Sequence, residues 1–230
     1  MTDAPDFRFR ADLFRIACRF ASMADGVRIE PAPRGEGAIL TAWTDLAAFA
    51  ILDVGARCAR AAMIRVPHEF LDATHRAVRA AQQGEAVCMS IVSGVAMCDG
   101  VGLRAENCVR EAEPDNWRAW ARRNGNAPLV GSLSIRRDLL ATIGDAAQML
   151  VRAGGGGGFD AERAPIRFAG GVEGAVAVEF PAFRDAFVIV RDAQSDDDHG
   201  KWKTPAWLED ARPPALDFKG RAPPEAGLRL

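Results

Sequence analysis

The sequence predicts an α+β fold in which antiparallel sheets carry helices on one side. The main observation is a repeated order: a strand, an amphipathic helix and three strands occur three times, with helices that begin near residues 10, 67 and 134. Each repeat has one apolar sheet face and one apolar helix stripe to bury. Two repeats placed side by side bury both, and the 49% of apolar residues in the 230-residue chain supply the core.

Repeat one begins with the alternating segment DFRFR, residues 6–10, which has the pattern of a half-buried strand. Helical spacing predicts a helix over 10–24. Its inward side chains are Leu13, Ile16, Ala17 and Phe20. Three strands are predicted after it, at 27–31, 38–43 and 46–54.

Repeats two and three follow the same order. Repeat two has a strand at 61–66, a helix at 67–83 and strands at 86–92, 94–98 and 102–112. Repeat three has a strand at 129–135, a helix at 136–153 and strands at 164–170, 174–180 and 186–192. The inward helix positions are Phe70, Leu71, Thr74, Val78 and Ala81 in repeat two, and Leu139, Leu140, Ile143, Ala147 and Leu150 in repeat three.

Four segments make up the predicted domain organisation. Residues 1–113 form a complete domain of two repeats, 114–127 a linker, 128–192 a half domain of one repeat, and 193–230 a polar, proline-rich tail. Repeat three is left without a mate. We expect it to pack on a second copy of the chain, on the neighbour of repeat two, or on the tail.

Composition excludes several classes of protein. No run of about 18 uncharged apolar residues occurs, and the N-terminal residues lead into no signal core, which predicts a cytoplasmic protein without a membrane span. The five cysteines form no C-x-x-C pair, and three histidines add no ligand pattern, so we expect no metal site and no cofactor. A net charge of −2 argues against a uniformly cationic surface but leaves room for a local basic one.

No motif for catalysis is present. The glycines 154–158 follow a helix and precede no lysine, whereas a phosphate-binding loop follows a strand and ends in Lys-Ser/Thr. His75 has no matching nucleophile, so no catalytic residue is predicted. Trp117 and Trp120 flank Arg118, and this pair either stacks on bases or, as is more common, fixes a linker to the core.

Three segments, in order, carry a family resemblance. Residues 38–53, AILTAWTDLAAFAILD, match a strand-corner-strand with an A-T-D-G-H-R-L signature; residues 113–118, EPDNWR, match F-P-D-[YW]-R; and residues 180–192, FPAFRDAFVIVRD, match an F-V-x-V-x-M-P-M-R ending. Over residues 6–192 the chain resembles the DNA sliding clamps, namely the bacterial DNA polymerase III beta subunit and its short phage-type relatives. The resemblance implies DNA-clamp (processivity-fold) repeats, each a strand, a helix and three strands.

The same resemblance implies a function without chemistry of its own. A clamp of this kind is a DNA polymerase processivity factor that contacts or encircles duplex DNA and tethers a replication or repair partner. Its helices face the DNA, where loosely placed cations hold the phosphates without reading sequence. The implied DNA-binding residues are Arg10, Arg15, Arg19, Arg76, Arg79, Arg136 and Arg137.

The partner cleft departs from the family pattern. The Gly-His-Arg of the corner is replaced by Leu46-Ala47-Ala48, and the closing Met-Pro-Met-Arg is missing. The resemblance places the cleft for a polymerase or other replication-protein peptide at Thr44, Asp45, Leu46, Phe49 and Val190. These side chains predict a partner more apolar than the family's usual peptides.

Two assemblies and a second function stay open at this point. Clamp rings hold twelve repeats, so four chains of three repeats would close one, whereas two chains that pair their third repeats form an open homodimer. The alternative function is a protein-interaction scaffold, an open homodimer that kept the fold and no longer binds DNA. The lost Gly-His-Arg and the mild net charge favour that alternative.

Overall fold

The structure is a computed structural model of the 230-residue chain, and it describes residues 5–21, 26–33, 36–44, 46–81, 85–112, 135–154, 160–172 and 175–191. All of these lie within the compact unit Met1–Gln194. The predicted linker at 114–127, most of the predicted strand at 129–135, and the tail at 193–230 lie outside the described residues. The division of the chain into domains therefore stays a prediction.

In the described residues, two antiparallel sheets carry three helices. The five-stranded sheet has the order β5-β1-β7-β8-β9 and the eight-stranded sheet the order β10-β6-β2-β3-β4-β13-β12-β11. The strands are β1 Phe7–Arg10, β2 Val27–Pro31, β3 Ala38–Trp43, β4 Ala47–Asp53, β5 Arg57–Cys58, β6 Ala62–Ile64, β7 Cys88–Val92, β8 Val95–Cys98, β9 Arg104–Ala105, β10 Val109–Glu111, β11 Arg167–Val172, β12 Ala175–Glu179 and β13 Ala186–Arg191. The helices are α1 Ala11–Cys18, α2 His68–Ala80 and α3 Arg137–Ala153, with a 3₁₀ turn at Ala161–Arg163.

Repeats one and two exchange their first strands. β1 of repeat one pairs with β7 of repeat two, and β6 of repeat two pairs with β2 of repeat one, both antiparallel. β1 therefore lies beside a strand of repeat two, and β6 lies between β2 of repeat one and β10 of its own repeat. This exchange explains why the two repeats share one core, as the α+β prediction required.

α1 is shorter than predicted. It ends at Cys18 rather than at residue 24, because the N–H groups of Arg19 and Phe20 bond to the carbonyls three residues before them and tighten the last turn. The turn directs Phe20 onto Phe49, and the two rings stack with their centroids 4.7 Å apart. The inward positions predicted for α1 are all buried.

Repeat three has a mate within the chain on one side, which the sequence did not indicate. β13 pairs with β4 of repeat one over the register Ala186↔Ile51 to Val190↔Ala47, so one sheet runs through all three repeats. α3 packs against α1. Ile143, Ala147 and Leu150 are buried there as predicted.

Leu140 is a correction to the predicted core. It was expected to face inward with the rest of the α3 stripe, yet 46% of its surface is exposed. Leu140 lies one and two turns before Ile143 and Ala147 on the same face of the helix. Its exposure shows that the first turn of α3 extends beyond the described strands and helices that cover the rest of the stripe.

Candidate nucleic-acid and partner-binding surfaces

The structure brings three of the predicted DNA-binding arginines and His75 together where α1 and α2 pack. Burial and the positive charges of Arg19 and Arg79 lower the pKa of Arg15. Burial, followed by the charges of Arg15 and Arg79, likewise lowers the pKa of His75. Asp72 opposes both shifts but does not cancel them. We call Arg15, Arg19, His75 and Arg79 the basic cluster.

The basic cluster is suited to an anion that comes from solvent. Like charges held near one another raise the free energy of the charged state, and a phosphate placed among them removes that cost. Nδ1 of His75 is buried and makes no hydrogen bond to the described part of the chain. The cluster offers charge without a fixed geometry, which suits contact with a DNA backbone rather than with base edges.

Arg10 conflicts with its predicted role in DNA binding. Its guanidinium bonds to Asp12 through Nε and Nη2, at 3.1 and 2.5 Å, and Nη2 also donates to the carbonyl of Ala153 at 2.7 Å. These bonds join the start of α1 to the end of α3. Arg10 therefore holds two helices together and is not free to follow a phosphate chain.

The remaining predicted cations are exposed on α2 and at the start of α3. Arg76 and Arg137 lie on the surface. Arg136 bonds to Asp138 through Nε at 3.1 Å and through Nη2, and this hydrogen bond lowers the pKa of Asp138. Because the carboxylate of Asp138 offsets the positive charge of Arg136, Arg136 adds less to a basic surface than Arg76 or Arg137 does.

The corner between β3 and β4 is a tight turn. Thr44 Oγ1 accepts hydrogen bonds from the N–H groups of Leu46 and Ala47, both at 3.3 Å, and the Thr44 N–H donates to the carbonyl of Ala47 at 2.8 Å. Thr44 is exposed and Leu46 half-buried. Asp45 lies outside the described residues.

Two members of the predicted partner cleft lie in the core instead. Phe49 is buried against Phe20, and Val190, next to Ala47 in the sheet, is also buried. In each strand these side chains face the helices, where a partner peptide has no access. The predicted cleft is thereby reduced to the corner at Thr44 and Leu46.

Sequence reasoning missed two cavities. One, of about 430 Å³, lies where α1 ends, α2 begins and the β9–β10 loop passes; Phe14, Cys18, Leu71 and Arg110 are among its lining residues. The other, of about 280 Å³, lies at the junction of repeats one and three, beside Asp53 and Phe183. Each draws on elements far apart in the chain, so no local pattern could have revealed it. Burial raises the pKa of Cys18 to about 12, so its thiol stays protonated and is a poor nucleophile.

A search of the described residues finds no group of three His, Cys, Asp or Glu side chains placed to hold a metal ion. Within the same part of the chain, no helix has the length and apolar character needed to cross a membrane.

No protein-family model and no curated protein sequence matches the chain. Solved structures do match it. The DnaN sliding clamp (DNA polymerase III subunit beta) of Bartonella birtlesii, solved with griselimycin bound, has a TM-score of 0.52 and 7% identity, covering 85% of this chain and 68% of that one. The sliding clamp of Pseudomonas aeruginosa, solved with a ligand, has a TM-score of 0.48 at 10% identity over 85% and 68%. The DNA polymerase III beta subunit of Thermotoga maritima has 0.44 at 7% over 90% and 68%.

At these identities the likeness concerns the fold. The antiparallel sheets with their few helices agree with the match at a TM-score of 0.52. The chain thus has an α+β fold like that of the bacterial DNA polymerase III beta sliding clamps.

Proposed function

We propose that the chain is a sliding-clamp-like DNA polymerase processivity factor. It contacts or encircles duplex DNA without sequence readout and tethers a replication or repair partner, as a homo-oligomer in the cytoplasm and with no chemistry of its own. The observation that carries this proposal is the basic cluster, which concentrates three arginines on the helices of a clamp-like fold. Such a cluster binds phosphates through charge.

The partner surface of the proposal is the corner between β3 and β4. The side chains of Thr44 and Leu46 are available there, since Phe49 and Val190 are buried. Asp45 lies between them in the sequence. Leu46 presents an apolar surface where the clamp signature has glycine. We expect a partner segment with an apolar anchor to dock at this corner.

Fluorescence anisotropy with a labelled duplex tests the DNA contact. Binding is measured between about 50 and 200 mM salt, because each phosphate contact contributes to the salt dependence. Arg15→Gln, Arg19→Gln and Arg79→Gln combined should weaken binding at least about tenfold and reduce the salt slope by about three. The matched control is the triple variant Arg57→Gln, Arg60→Gln and Arg104→Gln. It removes the same charge at three residues that are exposed elsewhere.

The control triple variant should bind more like the wild type than the cluster variant does. If the two triple variants lose affinity for DNA equally, net charge rather than the basic cluster governs binding. If the wild type does not bind DNA at low salt, the proposed DNA contact is wrong. The alternative function, a protein-interaction scaffold, would then be favoured.

A further inference from the structure

His75 lies on the side of α2 that meets α1. Spacing along α2 places Asp72, His75 and Arg79 on one side of the helix, because residues three and four apart are neighbours on a helix surface. Arg15 and Arg19, at the end of α1, are neighbours in the same way. Because α1 and α2 pack against each other, these two sides meet, and the charges of the other four groups act on His75.

Of the four members of the basic cluster, His75 changes its charge near neutral pH. Arginine stays protonated at any working pH, whereas an imidazole ordinarily has a pKa of about 6.5. Burial and the positive charges of Arg15, Arg79 and Arg19 hold the pKa of His75 below that value, and Asp72 opposes the shift without cancelling it. At pH 7.5 the free protein therefore has a neutral imidazole beside three cations.

A phosphate bound at the basic cluster reverses the electrostatic balance at His75. Its negative charge offsets the positive charges of the arginines that disfavour the imidazolium, so the pKa of His75 rises. The imidazolium also donates hydrogen bonds from both ring nitrogens, and phosphate oxygens are strong acceptors for charged donors. The complex thus favours the protonated ring, whereas the free protein favours the neutral one.

We propose that binding of a phosphate at the basic cluster is coupled to the uptake of a proton by His75, and that duplex DNA supplies the phosphate. The proton comes from solvent and goes to the unprotonated nitrogen of the neutral imidazole. His75 then acts as a fourth cation of the site, which makes DNA affinity dependent on pH. The coupling to DNA rests on the proposed function, since it requires that the basic cluster contacts the duplex.

The sign of the pH dependence follows from the two pKa values of His75. Because the complex has the higher pKa, it takes up the proton first as the pH falls, and the affinity for DNA increases. The increase ends below the pKa of the free protein, where both forms carry the proton. Since that pKa lies below 6.5, the affinity should still be rising when the pH falls past 6.5.

Anisotropy titrations of a labelled duplex at pH 7.5 and pH 5 test the coupling. The wild type should bind at least about tenfold more tightly at pH 5, since an opposite charge nearby changes a pKa by at least about one unit. The plot of log affinity against log salt should also become steeper by about 0.9, because one more cation meets the phosphates. His75→Gln should lose most of both changes. His68→Gln, at an exposed position on the same helix, is the matched control and should keep both.

Nuclear magnetic resonance of the histidine rings gives a second readout that does not depend on how well His75→Gln folds. The chain has three histidines, so single variants assign the ring signals of the wild type. The pKa of His75 should rise when duplex DNA binds, and that of His68 should change less. A pKa of His75 that is the same with and without bound DNA would overturn the proposal. So would a pH dependence of DNA affinity that is unchanged in His75→Gln.

Failure of the coupling is distinguishable from failure of the proposed function. A wild type that binds duplex DNA equally well at both pH values contradicts only the coupling. If the wild type binds no DNA at either pH, the ring titration is repeated with inorganic tripolyphosphate. A rise in the pKa of His75 would then support the proton-coupled phosphate site and contradict the DNA contact, and no rise would contradict both.

Discussion

At the scale of single residues, His75 has the most informative environment. It lies on α2 facing Arg15 and Arg19 of α1, with Arg79 and Asp72 of its own helix nearby. Burial and these positive charges lower its pKa below the ordinary value of 6.5. The folded protein therefore binds a proton at His75 less readily than the unfolded chain does.

The sign of the resulting pH dependence follows from this difference. As the pH falls through 6.5, the unfolded chain takes up the proton first, so the free energy of unfolding decreases. We expect the melting temperature to fall between pH 7.5 and pH 5, and His75→Gln to show a smaller fall. His68→Gln, at an exposed position on the same helix, is the control. If the melting temperatures of His75→Gln and the wild type depend equally on pH, His75 is not the group that causes the fall.

At the scale of elements, Arg10 links two helices that are distant in sequence. It lies at the start of α1, and its bond to the Ala153 carbonyl satisfies one of the unpaired carbonyls at the end of α3. A cation at a helix C-terminus is also favourable toward the helix dipole. The last turn of α3 should therefore depend on Arg10.

Arg10→Ala should lower the free energy of unfolding by about 1.5–3 kcal/mol, the range for hydrogen bonds to charged groups. Amide exchange in the last turn of α3 should become faster, while the middle of the helix changes little. Arg8→Ala is the control: among the described residues Arg8 makes an exposed ion pair with Asp99, at 3.6 Å, and its loss should cost less than about 1 kcal/mol. Similar costs for both variants would show that Arg10 does not stabilise the end of α3.

The stack of Phe20 on Phe49 fixes the end of α1 to the sheet. Phe49→Ala should cost about 3–5 kcal/mol of stability, because it leaves a cavity beside a buried ring. Leu46→Ala, at the half-buried corner, should cost less, and denaturant unfolding compares the two. If Phe49→Ala lowers the free energy of unfolding only slightly, Phe49 is not buried in the core, and the predicted cleft would again include it.

Local patterns predicted most elements, but the strand predicted at 102–112 is divided between β9 and β10, which lie in different sheets. Non-local pairing explains such errors. β2 and β3 have the predicted bounds because Gly37, at φ +85°, turns the chain sharply before β3, and a Cβ there would lie 2.3 Å from the Asp53 carbonyl oxygen. The burial of Val190 depends on the pairing of β13 with β4, and that register joins residues far apart in the chain. No local signal specifies such a register. The basic cluster could be predicted in part, since helical spacing gives the face of each helix but not how two helices pack.

At the scale of the whole molecule, one eight-stranded sheet joins all three repeats. α1 packs against α2 on one side and α3 on the other, so the three helices form a row with the basic cluster at the contact of α1 and α2. The continuity through β4 and β13 gives repeat three a rigid support.

The number of repeats in the assembly determines how it holds DNA. Two chains provide six repeats, half of the twelve that the clamp resemblance implies for a closed ring. An open homodimer should therefore contact one side of the duplex, and it should dissociate from nicked circles and linear duplexes at the same rate when the salt concentration is raised. Gel filtration of the complexes measures this retention. Retention on circles that disappears on linearisation would instead require a closed assembly of four chains.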